Sequence, residues 1–176
     1  MDIFTTHQRH KMMSSIPSKG SKPEMIVRRE LWSYGFRYRL NYKRLPGHPD
    51  LVLKKYRTCI FINGCFWHGH NVDLRFDDLR STIYNSECFR IPKTNREFWL
   101  SKIRRNQERD VEEQKRLAEM GWHCITIWEC ELKPSKREAT LKSLAYTLNK
   151  ICLDDHAVIG KPYELPEEEM PKAAEE

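Results

Sequence analysis

The segment that most constrains this chain reads Cys-Ile-Phe-Ile-Asn-Gly-Cys-Phe-Trp-His-Gly-His and spans residues 59–70. It begins with an apolar run of strand-forming residues, which predicts a buried strand. The pair Asn63-Gly64 then favours a turn. A thiol, two large aromatic side chains and two imidazoles follow within six residues, a mixture that packing alone does not require at the end of a strand. We therefore expect this segment to carry the chemistry and the rest of the chain to support it.

The charge of the chain is unevenly distributed. It contains 31 Lys and Arg against 25 Asp and Glu, a net charge of +6 over 176 residues. Residues 163–176 hold six Glu and one Lys, so they contribute −5 and residues 1–162 contribute +11. A basic body with an acidic end favours a polyanionic partner, nucleic acid first. A basic surface that is merely solvated is the alternative, and the total charge does not separate the two.

The six cysteines indicate a compartment and a kind of chemistry. No signal-peptide pattern precedes them, and the chain does not look like a small secreted disulfide scaffold. The apolar runs are also far too short to span a bilayer. We expect a reduced, cytoplasmic setting, in which a Cys/His cluster more often serves metal binding or catalysis than a disulfide.

Periodicity and turn residues predict an α/β domain in which helices flank a mixed β-sheet. Residues 1–20 are expected to form a basic N-terminal arm, residues 21–153 the main domain with a loop at 71–87, and residues 154–176 a disordered acidic tail. Capping-box patterns at 21–24 and 94–97 predict the starts of two helices, which glycines end at 35 and 121. Strands are predicted at 36–40, 50–53, 59–62 and 122–130, and a last helix follows through Ile151.

The helix predicted before Gly121 has an unusual face. Trp99, Ile103, Asn106, Asp110 and Leu117 share one side at helical spacing. Buried amide and carboxylate groups need partners, so this face is expected to point at a polar site. The alternative is a helix rotated so that both polar side chains are in water.

Four soft ligands can be assembled from this sequence as Cys65, His70, Cys88 and Cys130. Three thiolates and one imidazole are a normal set for structural zinc, which takes four tetrahedral ligands. The spacing matches no common zinc finger, and cysteines are often simply buried small apolar residues. Spacing also leaves open whether His68 or His70 is the ligand.

A second, harder metal site is predicted at Asp50. A carboxylate at a strand start, beside a backbone carbonyl of the neighbouring strand, suits Mg²⁺. An unligated His68 next to such an ion would be a natural general base, oriented by Asp110. The alternative makes Asp50 a turn residue, because Pro-Asp is common in turns.

Five motifs together resemble the very-short-patch-repair mismatch endonucleases, small bacterial enzymes with a restriction-endonuclease-like fold. The motifs are Pro-Gly-His-Pro-Asp at 46–50, Asn-Gly-Cys-Phe-Trp-His-Gly-His at 63–70, Asn-Arg-Glu-Phe-Trp at 95–99, Asn-Gln-Glu-Arg-Asp at 106–110 and Trp-Glu-Cys at 128–130. The resemblance covers residues 9–150 in one register. It implies a Mg²⁺-dependent hydrolase that nicks one DNA strand at T·G mismatches left by deamination of 5-methylcytosine.

The resemblance also implies a role for each matching residue. Asp50 and the carbonyl of Ile62 would hold Mg²⁺, and His68 would be the base with Asp110 as its partner. Glu24 would be an auxiliary acid. The zinc ligands would be Cys65, His70, Cys88 and Cys130, and the side chains that enter the DNA stack would be Phe66, Trp67, Trp99 and, from the minor groove, Met13. The implied partners are double-stranded DNA with a T·G mismatch, with repair proteins or a cytosine methyltransferase as protein candidates, for a monomer acting on the bacterial nucleoid.

The chain departs from the family pattern twice. Asn63 stands where well-known members have a histidine, and an amide can bind a phosphate but cannot shuttle a proton. The third zinc ligand normally comes two residues after the histidine, whereas here an insertion of residues 71–87 precedes Cys88, with Asp73 as the reserve ligand. Two rival functions follow, a non-catalytic zinc-stabilised DNA-binding module and a restriction-like nuclease on paired DNA.

Overall fold

Four strands form one mixed sheet in the computed structural model, which describes residues 5–15, 20–72, 74 and 87–157. The strands are β1 (Arg39–Leu40), β2 (Leu51–Leu53), β3 (Thr58–Asn63) and β4 (His123–Trp128), in that spatial order. The β1–β2 and β2–β3 pairs are antiparallel, and β3 and β4 are parallel with Thr58 opposite His123. Parallel neighbours need a long crossover, and the segment between β3 and β4 contains the candidate site.

Five helices accompany the sheet within the described ranges. They are α1 (Thr6–Ser14), α2 (Lys22–Ser33), the one-turn α3 (Cys65–His68), the long α4 (Arg96–Glu119) and α5 (Arg137–Ala157). Short 3₁₀ turns lie at Lys54–Tyr56 and Glu129–Leu132. None of these helices combines the length and the apolar character that crossing a membrane requires.

Both faces of the sheet are covered by helices, as predicted. On one face Leu51, Leu53 and Ile60 pack with residues of α2 and α5, including Leu31 and Leu148. On the other face the alternating strand positions pack against α4, and the buried members of that cluster are Leu45, Val52, Cys59 and Leu117. Alternation along a strand sends successive side chains to opposite faces, which explains why the three residues of β2 are all buried.

Helix α2 has the termini that its sequence predicts. Ser21 Oγ accepts a hydrogen bond from the Glu24 N–H, and the Glu24 carboxylate accepts one from the Ser21 N–H, which completes the capping box. At the other end Gly35 has φ +85°, and the N–H groups of Gly35 and Phe36 donate to the carbonyls of Trp32 and Leu31. This is a Schellman motif.

Several predicted boundaries are wrong. Phe36 belongs to the helix end and not to a strand, so β1 is only two residues long. Helix α4 begins at Arg96 with Asn95 as its N-cap in the left-handed region, and no side chain caps it, so the second capping box does not form. Strand β4 ends at Trp128, because the Trp128 N–H donates to Glu131 and the chain turns there. Helix α5 continues to Ala157, so residues 154–157 are helical, and the rest of the predicted tail lies outside the described residues.

Candidate active site and metal centre

The turn from β3 into α3 positions the functional side chains. Gly64 is the N-cap of α3, and Gly69 ends it with φ +62°. A Cβ at Gly69 would lie 2.6 Å from Gln107 Nε2 and 3.0 Å from Ile103 Cγ2, so both the backbone conformation and the space require glycine there. The end of the short helix therefore packs closely against α4.

Two amide side chains of α4 hold this turn in place. Asn106 Nδ2 donates to the Trp67 carbonyl at 2.8 Å. Gln107 Nε2 lies between 2.6 and 3.3 Å from three backbone carbonyls, and its Oε1 accepts from the Leu74 N–H at 2.9 Å. Those carbonyls belong to His68, Gly69 and Val72. The polar face predicted for α4 is thus confirmed, although sequence reasoning missed Gln107, whose only signal was its place beside Asn106.

The four predicted soft ligands converge on one point. The ligand atoms of Cys65, His70, Cys88 and Cys130 all lie within 4.8 Å of one another. His70 Nδ1 is 3.7 Å from Cys65 Sγ and 3.2 Å from the sulfurs of both Cys88 and Cys130. Metal–ligand bonds of about 2.0–2.3 Å in a tetrahedron place ligand atoms roughly 3.5–3.8 Å apart, so this donor set fits a metal ion.

The electrostatics of this cluster agree with a metal centre. Burial raises the pKa of the Cys65 thiol to about 12 and also raises the pKa of Cys130, so charged thiolates here need a cation beside them. Burial lowers the pKa of His70 and favours the neutral imidazole, which is the form that binds metal. The His70 ring also stacks on Trp128, with 4.1 Å between ring centroids and 9° between the planes.

His68 lies in a different environment from His70. Its Nδ1 is hydrogen-bonded to Asp110 Oδ2, and the two side chains are 22% and 20% exposed. His68 is therefore bonded to a carboxylate and is not one of the four residues whose ligand atoms converge. Both imidazoles come from the same six residues, and only the three-dimensional arrangement distinguishes them.

A cleft of about 460 Å³ opens beside His68. It is lined by Gly47, His48, Asp50, Phe61, Ile62, Asn63, His68, Arg109, Asp110, Glu113 and Gln114. Asp50 Oδ2 accepts a hydrogen bond from the Ile62 N–H at 2.8 Å. Asp50 directly precedes β2 (Leu51–Leu53), so the predicted strand begins one residue too early, although the Asp50 carboxylate does reach the neighbouring strand β3. Asn63 is only 9% exposed at the end of β3. The cleft therefore joins a carboxylate, an oriented imidazole and an amide.

The surroundings of the Asp50 carboxylate disfavour its charged form. Burial is the largest effect and raises its pKa; the nearby Glu24 charge adds to this rise. The Ile62 N–H and His68 oppose the rise only in part. A divalent cation at this carboxylate would relieve the cost of the buried charge.

Glu24 does not line the cleft in the described part of the chain. Its carboxylate is 7% exposed and accepts from the Gly20 N–H at 2.8 Å and from Ser21 Oγ at 3.2 Å. Its structural work is therefore helix capping, and it acts on Asp50 through its charge.

An aromatic cluster adjoins the site. The Phe66 ring lies 5.2 Å from Trp67 and 5.1 Å from Trp99, and the two tryptophans are 5.9 Å apart. Phe98, which is 55% exposed, extends the cluster beyond the three predicted residues. Lys102 Nζ lies 5.2 Å from the Trp67 ring centroid. The side chain of Met13 and the reserve ligand Asp73 lie outside the described residues, as does most of the predicted insertion.

The cleft also contains residues to which sequence reasoning gave no role. His48 and Arg109 were part of recognised motifs, but nothing in a linear pattern indicated that they face Asp50 across one cleft. Glu113 lies one helical turn after Arg109, and Gln114 lies one helical turn after Asp110. Helical spacing therefore places all four residues on the side of α4 that lines the cleft.

Comparison with known proteins identifies the family. The family model for DNA mismatch endonuclease Vsr matches residues 1–74. The chain is 47% identical over 132 residues to the type II nicking enzyme V.NmeAIP of Neisseria meningitidis, covering 75% of this chain and 84% of that protein. It is 35% identical over 144 residues to V.XorIIP of Xanthomonas oryzae pv. oryzae, covering 81% and 96%. It is 36% identical over 132 residues to DNA mismatch endonuclease Vsr of Escherichia coli K12, covering 75% and 76%. The chain therefore belongs to the DNA mismatch endonuclease Vsr family of hydrolytic DNA endonucleases.

Proposed function

We propose that this protein is a Mg²⁺-dependent endonuclease that nicks one strand of double-stranded DNA at T·G mismatches, of the kind left by 5-methylcytosine deamination, and so starts very short patch repair. The observation that carries the proposal is the cleft in which Asp50 and the His68–Asp110 pair meet. Relatives named as nicking enzymes and as a mismatch endonuclease support it. The mixed sheet between helices supports a restriction-endonuclease-like fold.

Two different metals suit the two sites. Asp50 and the Ile62 carbonyl would hold Mg²⁺, because that ion prefers oxygen ligands and usually takes only a few of them from the protein. Cys65, His70, Cys88 and Cys130 would hold structural Zn²⁺, since four nitrogen and sulfur ligands leave no open position. Bound Mg²⁺ would supply positive charge to the scissile phosphate.

His68 is proposed as the general base. Its Nδ1 is engaged by Asp110, which leaves Nε2 as the nitrogen that can accept a proton. In the proposed reaction Nε2 takes a proton from a water molecule as the water oxygen attacks phosphorus. The phosphodiester P–O bond breaks, and the leaving sugar oxygen takes a proton from a solvent water to become a hydroxyl group. Asp110 then stabilises the imidazolium. Asn63 can donate an amide hydrogen bond to a phosphate oxygen, but proton transfer falls to His68.

The aromatic cluster is proposed to enter the DNA stack at the mismatch. Phe66, Trp67 and Trp99 form one group of rings in mutual contact, and Met13 on α1 would contact the minor groove. Wedges of this kind unstack a base step, and a mismatched step is weaker than a paired one. The basic body would bind the flanking phosphates of a nucleoid duplex in the bacterial cytoplasm as a monomer, and repair proteins or a cytosine methyltransferase are candidate partners.

The proposed function is tested with three labelled duplexes that differ only in one base pair, T·G, T·A or C·G. We expect one strand of the T·G duplex to be nicked with Mg²⁺ and neither strand with EDTA. Binding without nicking would instead support a non-catalytic DNA-binding module. Equal cleavage of the paired duplexes would support a restriction-like nuclease.

We expect His68→Ala to slow nicking by about 10²- to 10⁴-fold at saturating Mg²⁺, because the proposed general base is lost. Zinc should be retained, because His68 is not one of the proposed zinc ligands. Asp110→Asn should also slow nicking, since an amide N–H can donate to His68 Nδ1 and favour the tautomer in which Nε2 already carries a proton. Single-turnover rates and metal analysis check both variants. A parental rate in His68→Ala would rule out this base, and loss of zinc would mean that the histidine roles are reversed.

We expect Trp67→Ala to bind T·G duplex more weakly while binding to paired duplex changes little. Stacking on an aromatic side chain is worth roughly 1–3 kcal/mol per base, which corresponds to about 5- to 150-fold in Kd. Trp32→Ala is the matched control, because Trp32 is exposed on α2 away from the aromatic cluster. Fluorescence anisotropy on both duplexes measures the preference for T·G duplex. Full retention of that preference by Trp67→Ala would refute the proposal that Trp67 enters the DNA stack.

A further inference from the structure

The cleft that contains Asp50 is lined mainly by negative charge. Three carboxylates face it, those of Asp50, Asp110 and Glu113. A phosphodiester brings one more negative charge, and its hydrolysis concentrates that charge on the phosphoryl oxygens in the transition state. Among the described residues that line the cleft, Arg109 is the one side chain with a permanent positive charge.

The Arg109 guanidinium is close to carboxylates without being hydrogen-bonded to them. Its Nη2 is 3.8 Å from Asp110 Oδ1, and its Nε is 3.9 Å from Glu113 Oε1. Both separations exceed hydrogen-bond length, so the acids hold the cation near the cleft by charge while its N–H donors can still bind another acceptor.

Arg116 shows what a fully paired arginine on the same helix looks like. Arg109 and Arg116 are 58% and 60% exposed, and each has a Glu four positions away. Arg116 Nε lies 3.0 Å from Glu112 Oε1, which is a hydrogen bond. Arg116 is absent from the cleft lining and Arg109 is part of it. The two arginines therefore differ in their surroundings: Arg109 lines the cleft beside Asp110, the partner of His68, whereas Arg116 is paired outside the cleft lining.

We infer that Arg109 is a further catalytic residue, whose guanidinium donates hydrogen bonds to a nonbridging oxygen of the scissile phosphate as charge builds there. A planar fork of donors matches two phosphate oxygens and cannot lose its proton at working pH. The inference rests on the proposed nuclease function. It also gives the site a permanent cation where Asn63 supplies only a neutral amide.

The test compares Arg109→Met, Arg109→Gln, Arg109→Lys and the control Arg116→Met in the full chain. Nicking of labelled T·G duplex is measured in single turnover at saturating protein with Mg²⁺, and Kd is measured without added Mg²⁺. We expect Arg109→Met and Arg109→Gln to lose about 10²- to 10³-fold in rate with Kd unchanged, as expected for loss of a donor that acts in the transition state. Arg109→Lys should recover part of the rate, and added guanidinium ion should partly rescue Arg109→Met. Arg116→Met should match the parent in rate.

One result would overturn the inference, and a different one would overturn the proposed function on which it rests. A parental single-turnover rate in Arg109→Met and Arg109→Gln would exclude a catalytic role. If Kd rose while the rate stayed parental, Arg109 would bind flanking DNA and would not act in the reaction. Zinc content and melting temperature verify that each variant is folded. If the parent protein itself fails to nick the T·G duplex, the proposed function falls, whereas a parental rate in the variants overturns the role of Arg109 alone.

Discussion

Asp50→Asn should abolish nicking of a T·G duplex and leave binding to that duplex nearly unchanged. The substitution removes the carboxylate proposed to hold Mg²⁺, while an amide oxygen can still accept the hydrogen bond from the Ile62 N–H. The aromatic cluster and the basic surface are untouched. Because an interaction with the metal is lost in the reaction and not in DNA binding, the effect should fall on rate and not on Kd.

Stability gives Asp50→Asn a second readout. Burial raises the pKa of Asp50, so an ionised carboxylate is costly in the metal-free protein. Without added Mg²⁺, the melting temperature of Asp50→Asn should therefore equal or exceed that of the parent at neutral pH. Asp154→Asn, an exposed change on α5, is the matched control. Parental nicking by Asp50→Asn would refute the proposed mechanism, and a large fall in melting temperature would show that Asp50 is chiefly structural.

Cys130→Ala should lose its zinc and with it much of its stability. Cys130 lies in the 3₁₀ turn after β4, whereas Cys65 lies in α3 and Cys88 lies ahead of α4, so the cluster ties three separate segments together. Structural zinc contributes roughly 10–16 kcal/mol to small zinc domains, and losing one of four ligands removes a substantial part of this. At about 2–4 °C per kcal/mol for a chain of this size, the melting temperature should fall by on the order of 10 °C or more.

Elemental analysis and thermal unfolding check this prediction on protein purified without added zinc. The parent should contain one zinc per chain, and Cys152→Ala, a change on α5 outside the cluster, should keep it. Full zinc in Cys130→Ala, or well under one equivalent in the parent, would refute the structural zinc site. Cys88→Ala asks a narrower question, because retained zinc there would move the third ligand elsewhere, with Asp73 as the candidate.

Loss of the proposed zinc should also inactivate the enzyme, although none of the four residues of the Cys/His cluster lines the cleft. Cys65 and His70 flank the residues Phe66, Trp67 and His68 in one short segment. Releasing the ends of that segment would free the proposed base and the wedge together. A zinc-free variant with normal nicking would show that Asn106 and Gln107 alone hold the turn.

The elements best predicted from the sequence were those specified by neighbouring residues. Ser21 and Glu24 cap α2 within one helical turn, and Gly35 ends it because its conformation is difficult for other residues. The pairing of β2 with β3 was correctly predicted, since a short turn between two strands leaves little choice of pairing, and it brings Asp50, one residue before β2, to Ile62. The face of α4 with Asn106 and Asp110 followed from helical spacing alone.

Boundaries were less predictable, because hydrogen bonds to distant or nearby side chains decide them. Glu131 accepts from the Trp128 N–H and ends β4 two residues earlier than its apolar alternation indicates. The 3₁₀ turn that follows carries Cys130 to His70, whereas a continued strand would follow the sheet. The early end of β4, which the sequence did not predict, is therefore also what brings Cys130 to the Cys/His cluster.

By itself the sequence determined the kinds of groups available and the faces on which they lie, because propensity, capping and periodicity act over a few residues. Only the tertiary structure decided which groups meet. It separated His70 from His68, assigned Gln107 to the backbone of the turn and brought Arg109 into the cleft with Asp50. Contacts between residues tens of positions apart depend on how β3, α3 and α4 pack, and no local pattern encodes the distance between their side chains.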